Sequence, residues 1–357
     1  MTSLLALSKE ALTEFVQSRG GKPFHGKILR RAVLEQGTLD YADITDLPAR
    51  LRETLKEELP IFGGRLVDQC LASDGTKKLL LEFPGRPGRG PDAPPSKELS
   101  VETVFIPPHR SKDEDGTARG ATLCVSSQAG CPVGCPFCAS GLLGLERNLE
   151  SHEILEQFVR GRAVGPLRRA VVMGIGEPLL NFENLNDALG VVREEMGLGG
   201  RKITVSTVGF PDRLRRAARG EPKFQLAISL HTPDQEQRDD LVPAMRGVPI
   251  EEVLAAGDDW FEQTGREITY EYVMLGGVND TPRHAERLAD RLRGRRCSVN
   301  LIPYNPTPEL PFARPESGTP EGFRDDLLER GLIATIRWSR GLDGSAACGQ
   351  LRLAKQA

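Results

Sequence analysis

Three cysteines within nine residues, Gly130-Cys131-Pro132-Val133-Gly134-Cys135-Pro136-Phe137-Cys138, restrict what this chain can fold into and do. The prolines and glycines between them disfavour helix and strand, so the three thiols belong to one loop. In this C-x-x-x-C-x-x-C spacing they can ligate three irons of a cubane and leave the fourth iron open. Ferredoxin sites close every iron with four cysteines, so an open iron implies a cluster that binds something else. A zinc site and three structural cysteines are the rival readings. Structural zinc takes four ligands in paired short spacings, and the sequence offers no second Cys-x-x-Cys or His pair.

The chain has 357 residues, enough for one large domain and a small accessory one. Its beginning carries no basic n-region and no stretch reaches the roughly 18 apolar residues of a membrane span, so a cytoplasmic protein without membrane association is expected. Seven cysteines argue for metal or redox chemistry rather than a disulfide framework. Cys70 and Cys297 read as buried small hydrophobes. With a net charge of -3, any nucleic-acid partner must be held by local basic patches.

Apolar residues recur at helical spacing from Leu4 to about Leu59, which predicts a helical accessory module over 1–60. Alternation over 66–70 and 78–83 around Ser73-Asp74-Gly75 predicts a β-hairpin over 61–84. The Pro- and Gly-rich 85–98 reads as a linker, 101–107 as a strand, and 109–120 as a charged insertion. A main domain follows over 99–342, with a tail at 343–357. Strands are expected at 170–173, 203–206, 224–230, 268–274 and 298–302, and helices at 151–162, 184–195, 212–219, 250–264, 282–292 and 321–330. Repeated β-α units imply an α/β fold, a parallel sheet or barrel, with functional residues at the carboxyl ends of the strands.

Polar residues fall at those ends. Gly174-Ile175-Gly176-Glu177-Pro178 follows the first strand, Ser206 and Thr207 end the next, Ser229-Leu230-His231 ends the third, and Asn300 and Asn305 bracket the last. The amino and carboxylate groups of S-adenosylmethionine can chelate an open iron, and Glu177 offers a carboxylate for its ammonium. Each feature also has a plain structural reading: a strand-to-helix turn at Gly-Glu-Pro, a structural histidine at His231, a core aromatic at Phe137. Cys124 and Cys348 are either a nucleophile with a resolving thiol or two inert cysteines.

Taken together, these residues resemble the RlmN branch of the radical S-adenosylmethionine methyltransferases. The resemblance runs through Gly21-Lys22-Pro23-Phe24, Thr122-Leu123-Cys124-Val125-Ser126-Ser127-Gln128, the cysteine triplet, Gly144-Leu145-Glu146-Arg147-Asn148-Leu149 and Met173-Gly174-Ile175-Gly176-Glu177-Pro178-Leu179-Leu180-Asn181. It continues in Ser229-Leu230-His231, Glu271-Tyr272-Val273-Met274-Leu275, Leu301-Ile302-Pro303-Tyr304-Asn305-Pro306 and Ala346-Ala347-Cys348-Gly349-Gln350-Leu351, covering nearly the whole chain. Arg340-Gly341-Leu342-Asp343-Gly344-Ser345 departs from the family, whose members tend to carry an acidic residue followed by Ile, and the insertion between Glu102 and Cys124 is longer than usual.

The resemblance implies a partial (β/α)6 TIM-like barrel with a small N-terminal helical accessory domain and a β-hairpin. It implies methylation of carbon 2 of adenosine in 23S rRNA and in tRNA, using a 4Fe-4S cluster on Cys131, Cys135 and Cys138 and two S-adenosylmethionines per turnover. Cys348 would accept a methyl from one S-adenosylmethionine. The second would yield a 5'-deoxyadenosyl radical that removes hydrogen from that methyl. Cys124 would release the product by forming a disulfide with Cys348, and Glu102 corresponds to the proton acceptor. Gly176, Glu177, Ser206, Ser229, Leu230, His231 and Asn305 would bind S-adenosylmethionine. A flavodoxin or ferredoxin would supply electrons to a monomeric enzyme.

RNA would be held through phosphates, and the candidate patches are Lys22, Lys27, Arg30 and Arg31 in the small module and Arg213, Arg215, Arg216 and Arg219 on a helix; solvated helix faces are the alternative. Two other activities stay open: methylation of carbon 8 of the same adenosine, as in the Cfr enzymes, and a non-catalytic iron-sulfur RNA-binding protein.

Overall fold

In a computed structural model, residues 2–85, 97–108 and 120–351 are described. Most of the expected linker and insertion, and the last six residues of the tail, lie outside them. The chain starts with α1 (Lys9–Ser18), α2 (Pro23–Arg30) and α3 (Ala49–Glu58). Ser8 caps α1 through Ala11 N–H, and Pro23 stands at the first position of α2, where a missing N–H costs nothing. This module shares one continuous core with the rest of the molecule. Arg30 fastens it to the main domain through two hydrogen bonds to Glu195, at 2.6 and 2.8 Å.

The main sheet has ten strands. β1 (Arg65–Leu71), β2 (Lys77–Phe83) and β3 (Leu99–Ile106) are antiparallel neighbours, and β3 pairs antiparallel with β4 (Ala121–Cys124). The hairpin is therefore the antiparallel edge of the main sheet. After a two-stranded ribbon of β5 (Gln128–Gly130) and β6 (Leu145–Asn148), the parallel part runs through β7 (Leu167–Val172), β8 (Ile203–Thr207), β9 (Gln225–Ser229), β10 (Ile268–Met274), β11 (Cys297–Pro303) and β12 (Ile333–Ile336).

Six helical crossovers connect β4 to β12: α4 (Ser151–Val164), α5 (Phe182–Glu194), α6 (Pro211–Arg219), the pair α7 (Gln235–Leu241) and α8 (Ile250–Thr264), α9 (Pro282–Leu292) and α10 (Thr319–Glu329). β1 and β12 do not pair, so the sheet curls into the expected partial barrel and stays open. Buried on both faces, the parallel strands read as apolar runs such as Leu226-Ala227-Ile228. The helices obey local rules as well. Asp212 near the start of α6 and Arg216 and Arg219 near its end complement the helix dipole, while Gly265 ends α8 in the left-handed conformation. Among the described residues no helix is long and apolar enough to cross a membrane.

Candidate active site

The cysteine loop lies over the carboxyl ends of the parallel strands, where the β/α pattern predicts function. Cys131, Cys135 and Cys138 line a cleft with Gly176, Glu177, Ser206, Ser229, His231, Asn305 and Cys348. It encloses about 1000 Å³ of empty space, part of it open to solvent, which suits a cofactor-sized ligand.

The three thiols are free, and burial pushes each above its ordinary value, Cys131 to about 11. Charge on Cys138 raises both other thiols further. Thiols so placed need a cation to ionise, and a cluster supplies one. Among the described residues no three His, Cys, Asp or Glu side chains converge closely enough for a single metal ion. Three thiols on one cleft give a cubane three protein ligands and leave its fourth corner open, so the donor set fits such a cluster.

Gly176 and Glu177 line the same cleft, the Gly176 backbone standing within hydrogen-bond reach of the Cys131 thiol. Gly176 has φ +112°, and a Cβ there would lie 2.6 Å from Gln128 Cβ. Only glycine lets the turn press against β5. Glu177 is buried, which raises its pKa, while Thr207 Oγ1 at 2.5 Å, Val208 N at 2.9 Å and Leu179 N at 2.9 Å all donate to its carboxylate and oppose that rise. These donors fix its direction toward the cleft it lines. Ser206 and Ser229 approach one another to 3.3 Å between hydroxyls.

His231 adopts φ +66°, an uncommon conformation for a residue with a side chain. Its Nδ1 accepts from Val273 N at 3.2 Å, so the neutral ring carries its proton on Nε2. Burial, with Arg238 nearby, pushes it down to about 3, and Phe137 meets its ring edge-on with centroids 5.0 Å apart. Asn305 Nδ2 donates to Ser339 Oγ at 2.8 Å and to Cys348 O at 3.0 Å, while its buried Oδ1 has no hydrogen-bond partner among the described residues. The side chain of Leu230 is packed in the core and does not line the cleft; its backbone N–H donates to Glu271 O at 3.0 Å.

Cys348 links two spaces. It lines the cluster cleft and also an adjoining cavity with Cys124, Arg337 and Trp338. Cys348 is exposed, but within the cleft. Protein packed around it pushes the thiol up to about 12, against the pull of the Arg337 charge. Burial likewise raises Cys124 to about 11, again opposed by Arg337. The disulfide implied for this pair is not formed, since both thiols are free.

Glu102 lines neither cavity. It is fully buried on β3, where Lys78 Nζ meets its Oε1 at 2.8 Å and also donates to Ser345 O at 3.2 Å. Val104, two residues on, pairs with Cys124, so Glu102 shares a sheet face with Cys124 beneath the tail. Three of the basic candidates are engaged in ion pairs: Arg30 with Glu195, Arg31 with Glu35 at 3.7 Å, and Arg215 with Asp259 at 2.6 Å.

Single-residue reasoning did not pick out Glu271. It lies level with Ser229 and Asn300 in the parallel register, accepts from Asn300 Nδ2 at 2.8 Å and lines the cleft, where burial raises it to about 7. A glutamate inside an otherwise apolar strand was the available signal.

Residues 125–292 match the Radical SAM superfamily, and residues 2–61 match the Ribosomal RNA large subunit methyltransferase N-terminal domain. A "Probable dual-specificity RNA methyltransferase RlmN" of Synechococcus sp. (strain RCC307) is 42% identical over 364 residues, covering 100% of this chain and 99% of that protein. Its namesake in Rhodopirellula baltica is 41% identical over 98% of this chain and 90% of its own length. A crystal structure of a radical SAM methyltransferase from Sphaerobacter thermophilus superposes with a TM-score of 0.85 at 39% identity, covering 99% of this chain and 100% of that one. The radical SAM family implies a 4Fe-4S cluster and S-adenosylmethionine, for which the cleft has the residues. This chain belongs to the RlmN family of radical SAM methyltransferases.

Proposed function

We propose that the protein methylates carbon 2 of adenosine in RNA, with 23S rRNA and tRNA as substrates, through a methyl group carried on Cys348. The single observation that supports this most strongly is the position of Cys348, which lines both the cleft of the three clustered cysteines and the cavity of Cys124. A thiol placed so can receive carbon on one side and deliver it on the other.

Cys131, Cys135 and Cys138 would hold the cluster, with Gly176, Glu177, Ser206, Ser229, His231 and Asn305 around S-adenosylmethionine. Leu230 would contribute through its backbone alone. When bound, the cluster supplies the electron that converts one S-adenosylmethionine into a 5'-deoxyadenosyl radical. Cys348 first takes a methyl from another S-adenosylmethionine, making two per turnover. Stripped of one hydrogen, that methyl carbon bonds to the adenine ring, whose carbon 2 is too poor a nucleophile for polar transfer. The ring adduct gives up one electron, which the bound cluster would take back, and Glu102 accepts the ring proton once the tail above it shifts. Cys124, as the thiolate, then attacks the sulfur of Cys348, closing a transient disulfide as the carbon leaves with the RNA and takes up a proton; the external reductant reopens the disulfide with two electrons. The reductant is a flavodoxin or ferredoxin, and the enzyme works as a cytoplasmic monomer.

The test is anaerobic reconstitution with S-adenosylmethionine and rRNA or tRNA, followed by nucleoside mass spectrometry. 2-Methyladenosine is expected; 8-methyladenosine would indicate the alternative ring carbon, and no methylated nucleoside would indicate a non-catalytic protein. Cys124→Ala should accumulate a covalent protein-RNA adduct. Normal turnover by that variant would refute the two-thiol reading.

A further inference from the structure

The cavity shared by Cys124 and Cys348 has an aromatic rim. Trp338 lines it beside Arg337 and Arg340, with 52% of its surface exposed, whereas Trp260, the other tryptophan of the chain, is fully buried. An exposed aromatic ring alone means little. This one is held rigidly by its neighbours. Arg337 N donates to Leu301 O at 2.8 Å, and Ser339 Oγ accepts from Asn305 at 2.8 Å. Arg340 donates to Pro107 O at 2.8 Å and Asp74 O at 2.7 Å, and Gly341 N to Asp74 Oδ2 at 2.9 Å. The Arg314 guanidinium lies over the indole, 5.6 Å from its centroid.

A half-exposed indole fixed on a backbone that cannot drift is a preorganised surface, so little further ordering is lost when a flat ligand lies on it. Unpaired nucleotides are recognised in this way, with a base against an aromatic ring and guanidinium groups near the phosphates. Arg340 is paired with Asp74, while Arg337 beside the ring and Arg314 over it suit a polyanion, and the ring borders the cavity where the reacting base must enter.

We infer that Trp338 is the stacking platform for the nucleotide next to the reacting adenosine. The target base enters between Cys124 and Cys348, and its neighbour lies on the indole. This rests on the reading of the protein as an RNA-modifying enzyme and adds to it how the substrate is gripped.

Tryptophan emission of the reconstituted protein, titrated with a short RNA hairpin bearing an unpaired adenosine, reads the contact directly. Trp338→Phe identifies the share of the emission that belongs to the exposed indole. Saturable quenching of that share is expected. Trp338→Ala should weaken hairpin binding, measured by anisotropy of labelled RNA, by roughly tenfold, and Trp338→Phe should restore most of it. Removing the neighbouring base from the RNA should cost wild type a similar factor and cost Trp338→Ala little more. Unchanged emission at saturating RNA, or two losses that simply multiply, would overturn the proposal. Failure of the underlying reading would look different: hairpin binding with quenching, but no methylated adenosine from wild type.

Discussion

Single atoms decide several features of this site, and Gly176 is the sharpest case. Its φ of +112° and the 2.6 and 2.7 Å approaches of Gln128 Cβ and N leave no place for a methyl group. Backbone lies on the far side of that contact, so a shifted side chain cannot relieve it. Gly176→Ala should lower stability by about 3 kcal/mol, combining strain and overpacking, and should weaken S-adenosylmethionine binding at least roughly tenfold. Thermal unfolding and calorimetric titration check this; unaltered binding would mean that the turn does not form the ligand wall. Lys78 and Glu102 present the opposite economy of charge. Each is buried, and their 2.8 Å contact keeps both from standing as uncompensated ions. Lys78→Met should cost about 3–5 kcal/mol because it strands the carboxylate, while the double change Lys78→Met with Glu102→Leu should recover much of that loss. Denaturant unfolding of wild type and the two variants distinguishes a pair that stabilises from one kept for function.

At the scale of elements, the parallel strands β9 to β12 set a polar layer across the barrel interior. Ser229, Glu271, Asn300 and Thr335 are level in register; Thr335 Oγ1 donates to Asn300 Oδ1 at 3.3 Å and Asn300 Nδ2 to Glu271 at 2.8 Å. Burial is the main reason that Glu271 is raised from an ordinary 4.5 to about 7; Arg337 and the Asn300 bond act against it. The folded protein therefore binds this proton more tightly than the unfolded chain. Stability contributed by the protonated form is present below pH 4.5 and lost as pH rises to about 7, by about 3 kcal/mol. Glu271→Gln should flatten that part of the profile and unfold at a higher temperature than wild type at pH 8. Equal slopes for the two proteins between pH 5 and 7 would show that Glu271 is ionised throughout. This layer also marks the limit of what the sequence conveys. Strand ends with Ser206, Ser229 and Asn305 were legible because polar groups interrupt apolar runs, and six of the seven crossover helices follow from 3.6-residue periodicity, the seven-residue α7 being too short to show it. Glu271 and the short strand β12 were missed, because register between distant strands decides which residue stands level with which, and a four-residue strand carries too little pattern. The pairing of Glu102 with Lys78 was equally hidden, since it depends on β2 lying next to β3.

Across the whole molecule, the hairpin turns out to be the anchor of the tail that carries Cys348. Its turn residue Asp74 receives Arg340 Nε at 3.1 Å, Gly341 N at 2.9 Å and its own Thr76 N at 2.9 Å, while Ser73 N donates to Asp343 Oδ2 at 2.8 Å. Burial alone would raise Asp74, yet these hydrogen bonds bring it down to about 2. A Cβ on Gly344 would meet Cys70 Sγ and Ala72 Cβ at 3.2 Å, so the departure of 340–345 from the family pattern fits the surface of this hairpin. Farther along, Ala346 and Leu351 pack with Val104 and Ile175, and Ser140 Oγ donates to Leu351 O at 2.9 Å. Cys348 is thus suspended between an anchor on the antiparallel edge and another beside the cluster loop, and its position depends on both. Asp74 itself lines neither cavity, so Asp74→Ala removes one end of the suspension through Arg340 and Gly341 alone. Charge-assisted hydrogen bonds of this kind contribute about 2 kcal/mol, so local opening of the tail should become roughly thirtyfold more frequent. Hydrogen exchange at the Ser345 and Ala346 amides, which donate to Leu342 O and Gly341 O, should quicken by that factor while exchange in β9 and β10 stays unchanged. Mild oxidation of the unloaded protein should also join Cys124 to Cys348 more slowly in the variant, because the tail spends less time over Cys124. Protection equal to wild type at both amides would show that the cluster loop holds the tail by itself and that the hairpin serves only to close the sheet.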